Sequence, residues 1–189
     1  MTISKNINSK MMLALLASSF FSIPVLPQTA TQWVLEQSTL TYHISHPLHQ
    51  SEGVSHAARG KGVCQAGQCD FLIAAPVKSF DSGDSNRDLH MLQAVRGAEF
   101  PMVSVRAHMT QESPSSATIH VDLEIQFAGH TAEYKQLAFQ QITQGDQTRI
   151  SGTIPATLSD FKIEPPSLLT VPVKSEMPVR VEMTWRKEE

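Results

Sequence analysis

Between Ile119 and Phe127 the chain alternates strictly. Ile119, Val121, Leu123, Ile125 and Phe127 interleave with His120, Asp122, Glu124 and Gln126. A period of two puts the apolar set on one face of a strand and the polar set on the other. Such a strand needs a sheet with one dry side and one wet side, which is the ordinary condition of antiparallel β-structure.

The pattern recurs. Leu40, Tyr42 and Ile44 alternate with Thr41, His43 and Ser45, and Phe71, Ile73, Ala75 and Val77 share one face. Val103, Val105 and Ala107 follow Pro101, and Ile150, Ile154 and Leu158 keep one parity with Gly152 and Ala156. Val179, Val181, Met183 and Trp185 close the series. Runs from Val54 to Val63 and from Glu133 to Ile142 bring the expected strands to eight. Ala66-Gly67, Ser113-Pro114-Ser115 and Gly145-Asp146 mark turns between them. Eight antiparallel strands with one apolar face close into a barrel, whose interior is filled by side chains or holds one small ligand. The expected fold is therefore all-β, an eight-stranded antiparallel lipocalin-like barrel.

One stretch breaks the pattern. Asp81 to Asn86 is rich in Asp, Ser and Gly, and Ser85 followed by Asp88 reads as a helix start. Leu89, Leu92 and Val95 are at helical spacing, and Gly97 and Pro101 end the segment. A short helix with an apolar stripe, inserted among strands, is expected to cover one end of the barrel.

Residues 1–30 read as a signal peptide. Lys5 and Lys10 precede an apolar run from Met11 to Phe21, and Pro24, Pro27 and Ala30 follow. That run is short of the roughly 20 residues a spanning helix needs. Residues 31–189 are expected to form a single domain, periplasmic or secreted. Without the leader the chain has 13 Lys and Arg against 18 Asp and Glu, a formal charge of −5. This argues against nucleic acid as a partner.

Cys64 and Cys69 suit an oxidising compartment. With Ala66-Gly67 as a two-residue turn they face each other across a hairpin, within disulfide reach. The spacing is not C-x-x-C, so a structural staple is the reading with more support than a redox pair.

Whether the bore is hollow stays open at this point. Ala58, Gly60 and Gly62 share one face, and Gly152 and Ala156 thin another wall. Small residues facing inward leave room for an apolar ligand, or they relieve strain at barrel corners.

His43, His46, His49 and His56 raise an alternative, an exported metal-binding protein or enzyme using a histidine-rich first strand. Residues three apart on a strand point to opposite faces, which argues against a ready metal site. Motifs for a nucleophile elbow, a zinc protease or a phosphate loop are absent. No cofactor and no catalytic residue is implied.

Ser79-Phe80-Asp81-Ser82-Gly83, Asn86-Arg87-Asp88-Leu89-His90-Met91 and Ala98-Glu99-Phe100-Pro101 together resemble, in order, the S-[FV]-x-T-G, N-x-R-D-x-H-[LM] and [FY]-P segments of the YceI-like family. Trp33, Tyr42-His43-Ile44-Ser45-His46 and Ser159-Asp160-Phe161-Lys162-Ile163 add looser matches. The sequence Leu123 to Thr131 departs from the family's fifth strand and turn, and Cys64 and Cys69 are additions. The resemblance implies a YceI-like lipid-binding barrel over residues 31–189, non-catalytic, carrying or sequestering a polyisoprenoid or an isoprenoid quinone. A membrane redox protein would then be a candidate partner. The oligomeric state, monomer or dimer, is left open. The implied wall of the binding site is Tyr42, Ile44, Phe71, Ile73, Val103 and Val105, with Leu123, Ile125, Phe127, Ile154 and Val181. Leu89, Leu92 and Phe100 would line the lid. Arg87, Asp88 and His90 would meet a polar head group or fix the lid, the second role having more support because a helix start needs such groups.

Overall fold

The computed structural model describes residues 30–46, 49–110, 116–168 and 171–188. The proposed leader, apart from Ala30, and the Ser113-Pro114-Ser115 turn lie outside them. Eleven strands run in chain order: β1 Thr31–His46, β2 His49–Ser55, β3 Arg59–Gln65, β4 Gln68–Pro76, β5 Met102–Thr110, β6 Thr118–Phe127, β7 His130–Gln144, β8 Gln147–Ile154, β9 Ser167–Leu168, β10 Val171–Pro172 and β11 Val179–Glu188. One helix, α1, spans Ser85–Ala94, and 3₁₀ turns span Val77–Ser79 and Ser159–Phe161.

The sheet closes. Its order is β11-β8-β7-β6-β5-β4-β3-β1-β2, and β11 also pairs with β1, so no edge is left along that seam. β1 carries β3 at Thr31–Val34 and β2 at Leu40–His46, so β2 and β3 act as one stave broken at residues 56–58. The result is an eight-stave antiparallel barrel. The Val54–Val63 run was expected to be one strand; the break at His56 to Ala58 divides it. β8 likewise stops at Ile154, and Leu158 precedes the second 3₁₀ turn rather than lying in the strand.

Two bulges set which residues face inward. β1 has one extra residue between Leu35 and Gln37 relative to β11. The inward set is therefore odd-numbered before it (Trp33, Leu35) and even-numbered after it (Leu40, Tyr42, Ile44). Glu36, the extra residue, points out and holds Arg186 at 2.6 Å. β7 has its bulge at Gln136, with φ 53°. The inward set switches there from Ala132 and Tyr134 to Leu137 and Phe139. Asp122 of β6 accepts from the Gln136 backbone N–H at 2.8 Å and so pins the irregular residue.

Hairpin turns fix the register elsewhere. Ala66 and Gly67 both have positive φ, the twist that suits a two-residue hairpin, and Cys64 and Cys69 are cross-strand partners with Cα atoms 4.1 Å apart in a disulfide. Ala128 and Gly129 make the same turn between β6 and β7.

Candidate functional site

The bore contains a cavity of about 730 Å³. Volumes of roughly 300–1,000 Å³ hold one small ligand. Its middle is aliphatic, supplied by Ile73, Val105, Leu123, Ile125, Ile154 and Val181. They come from β4, β5, β6, β8 and β11, each at an inward-facing position, so the wall follows directly from the alternation.

The inward glycines do not themselves make the space. Gly62 lies directly across from Phe71, Gly152 from Phe139 and Gly53 from Tyr42. A β-carbon on Gly62 would come within 2.1 Å of the Phe71 ring, and one on Gly152 within 2.5 Å of Phe139. Trp185 covers Gly60 in the same way and packs edge-on against Phe71, ring centroids 4.8 Å apart. Bare backbone on one stave lets the ring of its neighbour lie against the wall, which keeps large side chains out of the axis.

One end of the barrel is covered by α1 and the segment leading into it. Val54 and Asp81 exchange two backbone hydrogen bonds at 2.9 Å, which attaches that segment to β2. Beside them the Ala57 backbone N–H donates to Ser55 Oγ, which bonds Ser79 Oγ, whose own hydroxyl donates to the Pro76 carbonyl. The N-cap of α1 is Asp84, not Ser85: its Oδ1 accepts from the backbone N–H groups of Asn86 and Arg87 at 2.9 and 3.1 Å. Those two bonds hold the Asp84 carboxyl below the ordinary carboxylate range. Ser85 is instead the first helical residue. At the other end Arg96 takes the left-handed φ of 54°, and Gly97 N–H reaches Leu92 O at 2.7 Å, which closes the helix.

Arg87 and Asp88 converge on one residue. Arg87 Nη2 donates to the Ser82 carbonyl at 2.8 Å, and Asp88 Oδ1 accepts from Ser82 Oγ at 2.6 Å and from its backbone N–H at 3.1 Å. The pair clamps the loop before α1 onto the helix. Arg87 also borders the cavity, as does His90 one turn on, whereas Asp88 does not.

The helix turns a different face inward from the one its leucine spacing predicts. Met91, Ala94 and Val95 line the cavity, while Leu89 is 53% exposed and Leu92 packs beside Gly97. Phe100 does not line it either. Its ring rests on the Gly129 turn with the Arg96 guanidinium 4.8 Å above it. Leu92 and Phe100 therefore pack outside the bore, and Leu89 faces solvent. Tyr42, Ile44, Phe71, Ile73, Val103 and Val105 all border the cavity, as do Leu123, Ile125, Phe127, Ile154 and Val181.

At the opposite end the Cys64–Cys69 disulfide, Trp33 and Met109 narrow the bore. Gln141, Thr143 and Lys187 form the rim, and Thr143 and Thr148 hydroxyls bond each other at 3.0 Å. The connection from β8 to β11 completes the α1 end. There Phe161 packs edge-on against Phe127, ring centroids 5.3 Å apart, and Asp160 holds the Tyr134 hydroxyl at 2.6 Å.

Sequence reading missed Met91, Met109, Met183 and Phe139 as lining residues. Met183 and Phe139 were legible by parity, Phe139 only with the Gln136 bulge known. The histidines of the first strand disperse. His43 pairs with Glu52 at 3.3 Å, His46 Nε2 lies 3.2 Å from Val171 O, and His56 Nδ1 lies 3.2 Å from Ser38 O. The His49 side chain lies outside the described residues. Among the described residues no group of three His, Cys, Asp or Glu side chains gathers in a way that could hold a metal ion.

Comparison with solved structures points to the same architecture. Burkholderia cenocepacia BcnA superposes with a TM-score of 0.66 at 13% identity, over 78% of this chain and 95% of its own. The fold is shared. A polyisoprenoid binding domain from Saccharophagus degradans, implicated in plant cell wall breakdown, superposes with a TM-score of 0.63 at 13% identity, over 82% of this chain and 98% of its own. No protein-family model and no curated protein matches the sequence.

Proposed function

We propose that the barrel binds one isoprenoid lipid, a polyisoprenoid or an isoprenoid quinone, and carries or sequesters it after export to the periplasm. The observation that carries this reading is the cavity of about 730 Å³, aliphatic along its middle and reaching exposed residues at both ends. The solved domain whose description names polyisoprenoid binding has the same fold, and the leader-like first 30 residues support export. Binding needs no chemistry on the ligand. Each buried CH₂ contributes about 0.8 kcal/mol, so one isoprene unit contributes roughly 4 kcal/mol. Association costs about 4–15 kcal/mol and micromolar binding needs about 8 kcal/mol net, so roughly three to six buried units suffice. A quinone cargo would make a membrane redox protein its natural source or destination.

Both tryptophans of the chain, Trp33 and Trp185, border the cavity, so their emission reports on occupancy. Lipid-stripped protein titrated with decylubiquinone should show saturable quenching. Ala107 is buried in the wall on β5. Ala107→Trp should place a ring in the bore and lower affinity at least tenfold, with the circular dichroism of the barrel unchanged. Quenching that is non-saturable, or identical in Ala107→Trp, would count against the reading.

A further inference from the structure

The cavity has two polar rims. At the disulfide end Thr143 and Thr148 bond to each other, while Gln141 is half-buried and Lys187 is exposed to solvent. At the α1 end Tyr42, Ser51 and His90 border the cavity, and none of the three side chains has a hydrogen-bond partner among the described residues. They come from three elements. Tyr42 and Ser51 lie on the paired strands β1 and β2, Tyr42 opposite Gly53 and Ser51 opposite Ile44, and His90 lies on α1. Tyr42 is fixed by its seat on Gly53 and by the Phe80 ring, centroids 5.7 Å apart. Three polar groups that can donate therefore border one end of an apolar bore without a protein acceptor among the described residues, Tyr42 and Ser51 half-buried and His90 at the exposed edge.

We propose that the α1 end holds the polar head of the bound isoprenoid, and that this head is uncharged and bears oxygen acceptors, with Tyr42 as its principal donor. This rests on the lipid-binding reading above and deepens it. The charge at this rim decides against a phosphate. Arg87 is the one cation bordering this end of the cavity among the described residues, and its Nε and Nη2 are already spent on Ser82. Asp88 sits beside it and offsets its charge. A phosphate head would enter with too few free donors and no uncompensated cation. A ring carbonyl or an alcohol needs one or two neutral donors, which is what the rim offers. Burial pushes the Tyr42 hydroxyl above its ordinary value, with Asp88 adding and Arg87 opposing, so it stays protonated and able to donate through the physiological range.

The test uses lipid-stripped protein and four tritiated probes: decylubiquinone, geranylgeraniol, geranylgeranyl phosphate and squalene, a hydrocarbon without a head. Tyr42→Phe should weaken decylubiquinone and geranylgeraniol about five- to tenfold, the loss of one hydrogen bond. It should leave squalene unchanged, which also shows that the variant folds. Geranylgeranyl phosphate should bind wild type no tighter than geranylgeraniol does. Equal losses for squalene and decylubiquinone, no loss for either headed probe, or a tighter phosphate would overturn the head-group assignment alone. Failure of wild type to retain any of the four would remove the lipid-binding reading as well.

Discussion

At the scale of single residues, the hollow bore depends on glycine and aromatic partners rather than on small residues alone. Gly62 is the sharpest case. The Phe71 ring occupies the place where a β-carbon would stand, so Gly62→Ala forces the ring off the wall and into the lumen. We expect this substitution to cost roughly 1–3 kcal/mol in urea unfolding, in the range of overpacked cores. Ligand capacity should fall with it. Gly67→Ala is the contrast, because nothing lies within 4 Å of its β-carbon and only the positive φ is strained. It should cost about 1 kcal/mol and leave binding intact. Equal effects of the two on binding would contradict the packing argument. The sequence put Gly60 and Gly62 on one face and Gly152 in another wall, with their direction open. It could not show that rings would lie over them, because that depends on which residue of the next stave falls opposite.

At the scale of elements, α1 is the part least built into the barrel. None of its residues is buried, and its attachments are the Val54–Asp81 backbone pair, the Ser82 clamp and the Asp84 cap. That is the construction of a lid that opens at low cost. The Asp84 cap makes the lid sensitive to acid. Its folded carboxyl lies below the ordinary value, so its contribution is complete at neutral pH and is lost as pH falls through the folded value. Amide protection in α1, taken relative to the intrinsic exchange rate at each pH, should fall on acidification below about pH 4 while β6 and β7 stay protected. Asp84→Ala should show the same loss of protection at pH 7, and Asp84→Asn, which keeps an acceptor, should not. Unchanged α1 protection in Asp84→Ala would contradict this. The existence and place of this helix were legible from the Ser/Asp/Gly cluster and Pro101. Its inward face was not. Leu89 and Leu92 follow helical spacing, but Leu89 faces solvent, Leu92 packs beside Gly97, and Met91, Ala94 and Val95 cover the bore. The strands were legible where alternation was unbroken, as in β6. The β2–β3 stave was misread as one strand and Phe139 on β7 was missed, because a strand break and a bulge leave no mark in composition.

At the scale of the whole molecule, the closed sheet explains why a tube can persist without a filled core. β11 pairs with β1 along most of both strands, so the sheet closes and every stave has a hydrogen-bonded neighbour on each side along part of its length. The disulfide adds a staple at the narrow end, where Cys69 is fully buried and Cys64 nearly so. The wall is then rigid enough that aliphatic side chains need not meet across the axis, and the space between them remains for a ligand. The most direct test of that claim is native mass spectrometry of the protein purified from cells without detergent. The account predicts a protein mass raised by one bound molecule per chain, which organic extraction releases as a long isoprenoid with an uncharged head. Protein that carries no bound lipid and takes up none when offered decylubiquinone would contradict it.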